Sequence, residues 1–236
     1  MRNLATIALA ALFASPSAAR AQSASFIVSQ HGKTVGTASS TFAANAQGYG
    51  TTSLVRIDLE GLNYNISKTE QLTQSNQLKH VQLSPTVNGS AVSVVAAPYA
   101  TQILLNISAN GRSATTGLTR HAAAVFLPDF DPGALETLLA LAVSQNNRDL
   151  WAIIPKKAGS IQPIQLATLA DEQGTLDGKP ITVHHLVATI AGSRTDLFAG
   201  PESQLLQAEL SQQGFALIRK GFVLTPPTRP GVPPAQ

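Results

Sequence analysis

The polar and apolar residues of this chain alternate strictly in short runs. Phe26, Val28 and Gln30 fall on one side of an extended segment, with Ile27 and Ser29 on the other. Leu62, Tyr64 and Ile66 alternate with Asn63, Asn65 and Ser67, and Ile103, Leu105 and Ile107 line one side of a third run. Period-two alternation is the pattern of strands with one buried face. Turn dipeptides separate the runs: His31-Gly32, Gln47-Gly48, Glu60-Gly61, Asn88-Gly89 and Asn110-Gly111. Consecutive alternating runs joined by such dipeptides predict antiparallel hairpins. Their spacing predicts strands longer than the usual five or six residues, and so a curved meander or half-closed barrel.

The period changes after Phe126. Asp131 has the side chain to cap a helix, and Pro132 suits the first helical position, where its missing N–H is not needed. Leu135, Leu138, Leu139 and Ala142 then recur at helical spacing, so the pattern predicts a helix from about Pro132 to Gln145 with one apolar side. Strand patterns resume around Trp151, Ile153 and Ile154. The runs Ser160 to Leu169 and Ile181 to Ile190 are read as a hairpin about Asp177-Gly178. Leu205 to Leu210 and Phe215 to Arg219 flank Gln213-Gly214, and Phe222 to Leu224 extends the last strand. From Thr225 onward, five prolines rule out regular pairing.

The predicted fold is therefore mainly β: a long curved antiparallel sheet, half-closed, with one central helix on its concave side. A β-sandwich with an edge helix is the alternative. No repeat and no linker divides the chain, so residues 22–224 are read as one β-rich domain with a helical insertion near 131–146. Residues 225–236 are read as a Pro-rich, extended and flexible tail.

The first residues carry a different signal. Met1-Arg2-Asn3 is a short positive start, Leu4 to Ala14 is apolar except for Thr6, and Ala19-Arg20-Ala21 is an A-x-A site. This is the layout of a secretory signal peptide over residues 1–21. The apolar run is shorter than the roughly 20 residues a bilayer-spanning helix needs. The chain is thus expected in the periplasm or outside the cell, beginning near Gln22, with no transmembrane segment after cleavage.

Composition narrows the function classes. Charged residues make up 12% of the 236, about half the roughly 25% usual in globular proteins. Ser, Thr, Asn and Gln must therefore cover much of the surface. The formal charge of +3 falls to +1 when Arg2 and Arg20 leave with the leader. No cluster of cations remains for nucleic acid or for an anionic membrane. The chain has no cysteine, so disulfides, thiol catalysis and cysteine metal sites do not arise. Asn65, Asn88 and Asn106 each begin an N-x-S triplet, which matters only in a host that glycosylates exported proteins.

Catalytic motifs are absent: no G-x-S-x-G, P-loop, H-E-x-x-H or G-x-G-x-x-G occurs. The adjacent His184 and His185 point to opposite faces of a strand and do not converge on one metal. They are read as one half-buried and one exposed imidazole. Asp129 and Asp131 invite comparison with paired carboxylates, but helix-start chemistry accounts for Asp131 and the approach to it. No catalytic residue, metal ligand or cofactor is assigned.

The segments Thr175–Leu186, Thr195–Phe198, Gln204–Leu210 and Gly214–Lys220, with the early Gly32–Gly36 hairpin, resemble the hairpins of exported half-barrel proteins of unknown function. Those families are similar in shape to the periplasmic lipoprotein carriers of the Lol system. The resemblance implies a curved sheet wrapped around a helix, with an apolar interior. The expected function is a non-enzymatic binding or carrier protein for an apolar, lipid-like ligand. Phe126, Phe130, Leu138, Leu139 and Trp151 are the expected lining. The alternative is a structural or assembly factor of the cell envelope that engages another protein through a sheet edge or the Pro-rich tail.

Overall fold

The computed structural model describes residues 22–226, apart from 147, 157 and 158. The leader read over residues 1–21, and the tail from residue 227, lie outside the described residues. Eight strands form an antiparallel meander: β1 (Gln22–Gln30), β2 (Lys33–Asn45), β3 (Gly48–Leu59), β4 (Leu62–Leu72), β5 (Leu78–Val87), β6 (Ser90–Tyr99), β7 (Gln102–Ala109) and β8 (Arg112–Thr119). The turns at His31-Gly32, Glu60-Gly61, Asn88-Gly89 and Asn110-Gly111 fall where the dipeptides predicted; that between β2 and β3 precedes Gly48, and those between β4 and β5 and between β6 and β7 carried no such dipeptide. Asn88 and Gly89, and Asn110 and Gly111, all have positive φ. Two successive left-handed residues give a turn whose twist matches the strands it joins, and Asn-Gly adopts it with least strain.

The chain then crosses the concave side of the sheet as β9 (Ala124–Phe126), α1 (Pro132–Ser144) and β10 (Trp151–Ile154). β9 and β10 pair in parallel, Ala124 beside Trp151 and Phe126 beside Ile153. The second half comprises β11 (Ser160–Thr168), β12 (Glu172–Leu176), β13 (Lys179–Ile190), β14 (Ser193–Ala199), β15 (Leu205–Leu210), β16 (Phe215–Arg219) and β17 (Phe222–Leu224). β16 pairs with β1, Phe26 opposite Arg219 and Gln30 opposite Phe215, and this joins the two halves. The ladder runs from β8 through β1 and β16 to β9. No ladder joins β8 to β9 among the described residues, so the sheet is a half-open barrel and not a sandwich.

The hairpin about Asp177-Gly178 needs one correction. It joins β13 to β12, Leu176 opposite Lys179, and not to β11. β13 is long enough to serve both: its first half pairs with β12 and its second half with β11, Thr168 opposite Leu186. The polar Glu172-Gln173-Gly174 hid β12, because it pairs with β17 at the sheet's margin and buries little.

Strand register sets the inner face. Ala38, Val55 and Ile66 form one row across β2, β3 and β4, and Ser40, Ser53, Lys68 and Leu83 form the next. α1 lies against these rows. Its cap and termination follow the sequence: the Asp131 side chain accepts from the N–H groups of Gly133 and Ala134, and Gln145 ends it. The helix is buried more completely than one apolar side requires. Thr137 and Leu141 are enclosed along with Leu135, Leu138, Leu139 and Ala142. A sheet that curves around a helix covers more of its circumference than a flat sheet does. A smaller cluster of Val183, Phe198, Leu206 and Phe222 forms a second, separate core.

Leu138 is wholly enclosed. Leu138→Ala should therefore lower the unfolding free energy by about 2–5 kcal/mol, read by chemical denaturation of the purified chain. A change under 1 kcal/mol would show that the helix is not packed into the core as described.

Candidate functional site

The meander gathers the turns at His31-Gly32, Glu60-Gly61, Asn88-Gly89 and Asn110-Gly111 at one end of its strands, and the Ala191-Gly192 turn between β13 and β14 lies at the same end of the sheet. α1 begins near that end, here called the mouth. Two clefts open there. One, of about 200 Å³, is bordered by Phe130, Leu135, Ile190, Leu210 and Leu217. The other, of about 230 Å³, is bordered by Tyr64, Leu83, Val92, Val94 and Ile107. Leu127, Pro128, Asp129 and Lys156 border both. The segment from Leu127 to Asp129 is therefore a strap between two apolar clefts. Lys156 holds it, with Nζ 2.7 Å from Asp129 Oδ2 at the surface.

Phe130 ends the strap with φ of 55°. A bulky residue in the left-handed region is strained and persists only where its surroundings hold it. Here the ring sits between Tyr64, edge-on at 6.2 Å, and Phe215 at 4.7 Å. Burial pushes the Tyr64 phenol above its usual range, and the charges of Asp129 and Asp131 push it further.

The five residues expected to line a cavity do not come together. Phe126 and Leu138 are fully enclosed in the core. Leu139 is buried and borders a separate hollow beyond the far end of α1, with Val143, Leu186 and Ala199. Trp151 is half-buried and stacks on His121, with centroids 3.7 Å apart. Phe130 alone reaches the mouth.

The feature that pattern reading missed lies beneath the mouth. Lys68 on β4 is fully buried, with Nζ 2.7 Å from Asp131 Oδ2 and 3.2 Å from Glu70 Oε2. The Thr51 hydroxyl also donates to Glu70, at 3.1 Å. Burial pulls Lys68 toward neutrality, but the two carboxylates outweigh it and hold the ammonium above its usual range. Burial raises Glu70, the charge of Asp131 raises it further, and Lys68 opposes both. Glu136 on α1 is also raised by burial, while Ser40 Oγ donates to it at 2.8 Å. Gly133 packs directly on Ser53 Oγ, so a side chain there would collide with the cluster. A signal for these residues was present. The alternation Leu62, Tyr64, Ile66 continues to Lys68, Glu70 and Leu72, which places both charges on the inner face.

His184 and His185 behave as their strand positions predict. His184, the more exposed of the two, meets Asp171, while His185 is half-buried between Glu172 at 2.8 Å and Asp196 at 3.0 Å. Arg194 binds Asp196 through two nitrogens and lowers that carboxyl below its usual range. The two carboxylates occupy opposite nitrogens of the His185 ring, so the three groups do not share a point where an ion could sit. Comparison with protein-family models, curated proteins and solved structures finds no match to this chain.

A group whose pKa is higher folded than unfolded favours folding as pH falls toward its unfolded value. Glu136 is such a group. Glu136→Gln keeps an acceptor for Ser40 and removes the buried charge. It should raise the thermal midpoint at neutral pH, and the gap from the native chain should close as pH falls below the usual glutamate range. A gap that is absent at neutral pH, or that widens in acid, would contradict the assignment.

Proposed function

We propose that this chain is an exported binding or carrier protein that takes an apolar, lipid-like group at the mouth of its half-barrel. The observation that carries this reading is the pair of apolar clefts that share the strap from Leu127 to Asp129, with Lys156, as a common border. Each cleft alone is smaller than the roughly 300–1,000 Å³ of common ligand pockets. Joined, they reach that range. At the surface the strap is held by the Lys156–Asp129 ion pair, worth at most about 1 kcal/mol. Beneath it the Leu127 N–H donates to the Ile153 carbonyl at 2.9 Å and Pro128 is buried, while strain at Phe130 opposes the present position. The leader pattern in residues 1–21 supports export. No helix among the described residues is long and apolar enough to cross a membrane.

A second reading, an envelope assembly factor, has one specific observation in its favour. Among the described residues β8 has a ladder only with β7, and its sequence Arg112–Thr119 contains no Pro and a single charge, Arg112. An edge with so few guards is open to strand addition.

The test is native mass spectrometry of the chain purified from an export-competent host, with extraction of bound organic material and titration with a single-chain lipid. The carrier reading expects one lipid per chain. Val92→Trp, which fills one cleft, should weaken binding at least about tenfold, a loss on the scale of one crowded apolar contact. Absence of saturable binding to any single-chain lipid would overturn this reading and leave the sheet edge as the functional surface.

A further inference from the structure

The buried cluster at the start of α1 has the parts of an acyl-transfer site turned on the protein itself. Lys68 supplies an amine 2.7 Å from Asp131 Oδ2. The other oxygen of the same carboxyl, Oδ1, accepts the backbone N–H of Gly133 at 2.9 Å and of Ala134 at 3.2 Å. Glu70 touches the amine at 3.2 Å, and the side chains of Lys68, Glu70 and Asp131 are all closed to solvent. A nucleophile, a polarised carboxyl, two donors on the oxygen that would gain charge, and a proton acceptor thus meet where water is excluded. We propose that Lys68 Nζ and Asp131 Cγ join in an intramolecular amide bond, releasing one water, with Glu70 relaying the proton.

The step balances without any co-reactant. One proton passes from the Lys68 ammonium to Asp131 Oδ2 across the 2.7 Å contact, leaving a neutral amine and a neutral acid. The Nζ lone pair then forms a bond to Cγ, and the carbonyl electrons move onto Oδ1, where the Gly133 and Ala134 N–H groups hold the charge. Glu70 takes a second proton from Nζ and delivers it to the Oδ2 hydroxyl. The Cγ–Oδ2 bond breaks, Oδ2 departs as water, and the Oδ1 carbonyl re-forms. The third Nζ proton stays on the amide, Glu70 ends as it began, and nothing is oxidised or reduced. Fixed placement of amine and acid supplies the effective concentration that amide formation in water lacks.

Two further facts agree. Glu70 Oε1, Ser53 Oγ and Asp131 Oδ2 are buried with no hydrogen-bond partner among the described residues, and Asp131 Oδ2 faces Lys68 as an ion contact. Ser53 lies directly across from Lys68 in the β3–β4 ladder. The bond would tie the middle of β4 to the helix that fills the barrel.

Intact mass measurement of the purified full chain, with peptide mapping after denaturing digestion, decides the matter. The expected mass is one water below that calculated from the chain's own mapped termini. The map should contain a branched peptide joining the Lys68 and Asp131 segments, with no cleavage by trypsin after Lys68. Glu70→Gln, checked for native circular dichroism, should retain the full mass. A native chain of full mass with separate Lys68 and Asp131 peptides overturns the proposal, whatever the variants do. So does a loss of water that maps to Asp177-Gly178, where closure of an aspartyl succinimide removes the same mass.

Discussion

A lysine ammonium sealed inside a half-open barrel is unfavourable unless anions meet it there, and Lys68 is met by two. Desolvating a charge costs several kcal/mol, and its partners offset that only in close geometry. Glu70 comes from the same strand, so its position is settled as soon as β4 forms. Asp131 comes from the far side of the chain and must be delivered by the fold. Its carboxyl caps α1 with one oxygen and meets Lys68 with the other. The helix start is therefore pinned to one place along β4. Apolar contacts alone would tolerate a helix displaced along or rotated within the barrel. A buried ion pair does not.

The remaining architecture follows from that anchor. With its first turn held at Lys68, α1 lies along the concave face and occupies the space that an open half-barrel would otherwise leave. Phe126, Leu138 and Leu141 become core because the sheet closes around them. What room remains is displaced to the ends: the divided clefts at the mouth, and a hollow past the helix C-terminus. The strap that divides the mouth is the few residues leading into Asp131, so anchor and clefts are parts of one segment. Phe130 takes its strained backbone where the chain must turn from that strap into the capped helix.

The three charged groups also depart from ordinary barrel chemistry in their imbalance. Two carboxylates share one ammonium, and a third, Glu136, stands nearby on α1. Burial pushes both glutamates toward holding a proton. Burial thus opposes charge on two of the carboxylates nearest the one ammonium, a tension that an apolar core of the same shape would not hold.

Local pattern was sufficient for most of the framework. Alternation and Asn-Gly turns marked the long strands, and the Asp131-Pro132 pair marked the helix start, because both depend on residues close in sequence. The alternation of Leu62, Tyr64 and Ile66 also extended to Lys68 and Glu70, and so determined that two charges face inward. It did not determine what they meet. That Asp131 reaches Lys68, that β13 divides its length between β11 and β12, and that Phe130 reaches the mouth while Phe126 does not were all decided by the tertiary structure. The reason is physical: hydrogen-bonding and side-chain periods repeat over a few residues, whereas the partner of a buried charge is set by how a whole sheet curves around a helix.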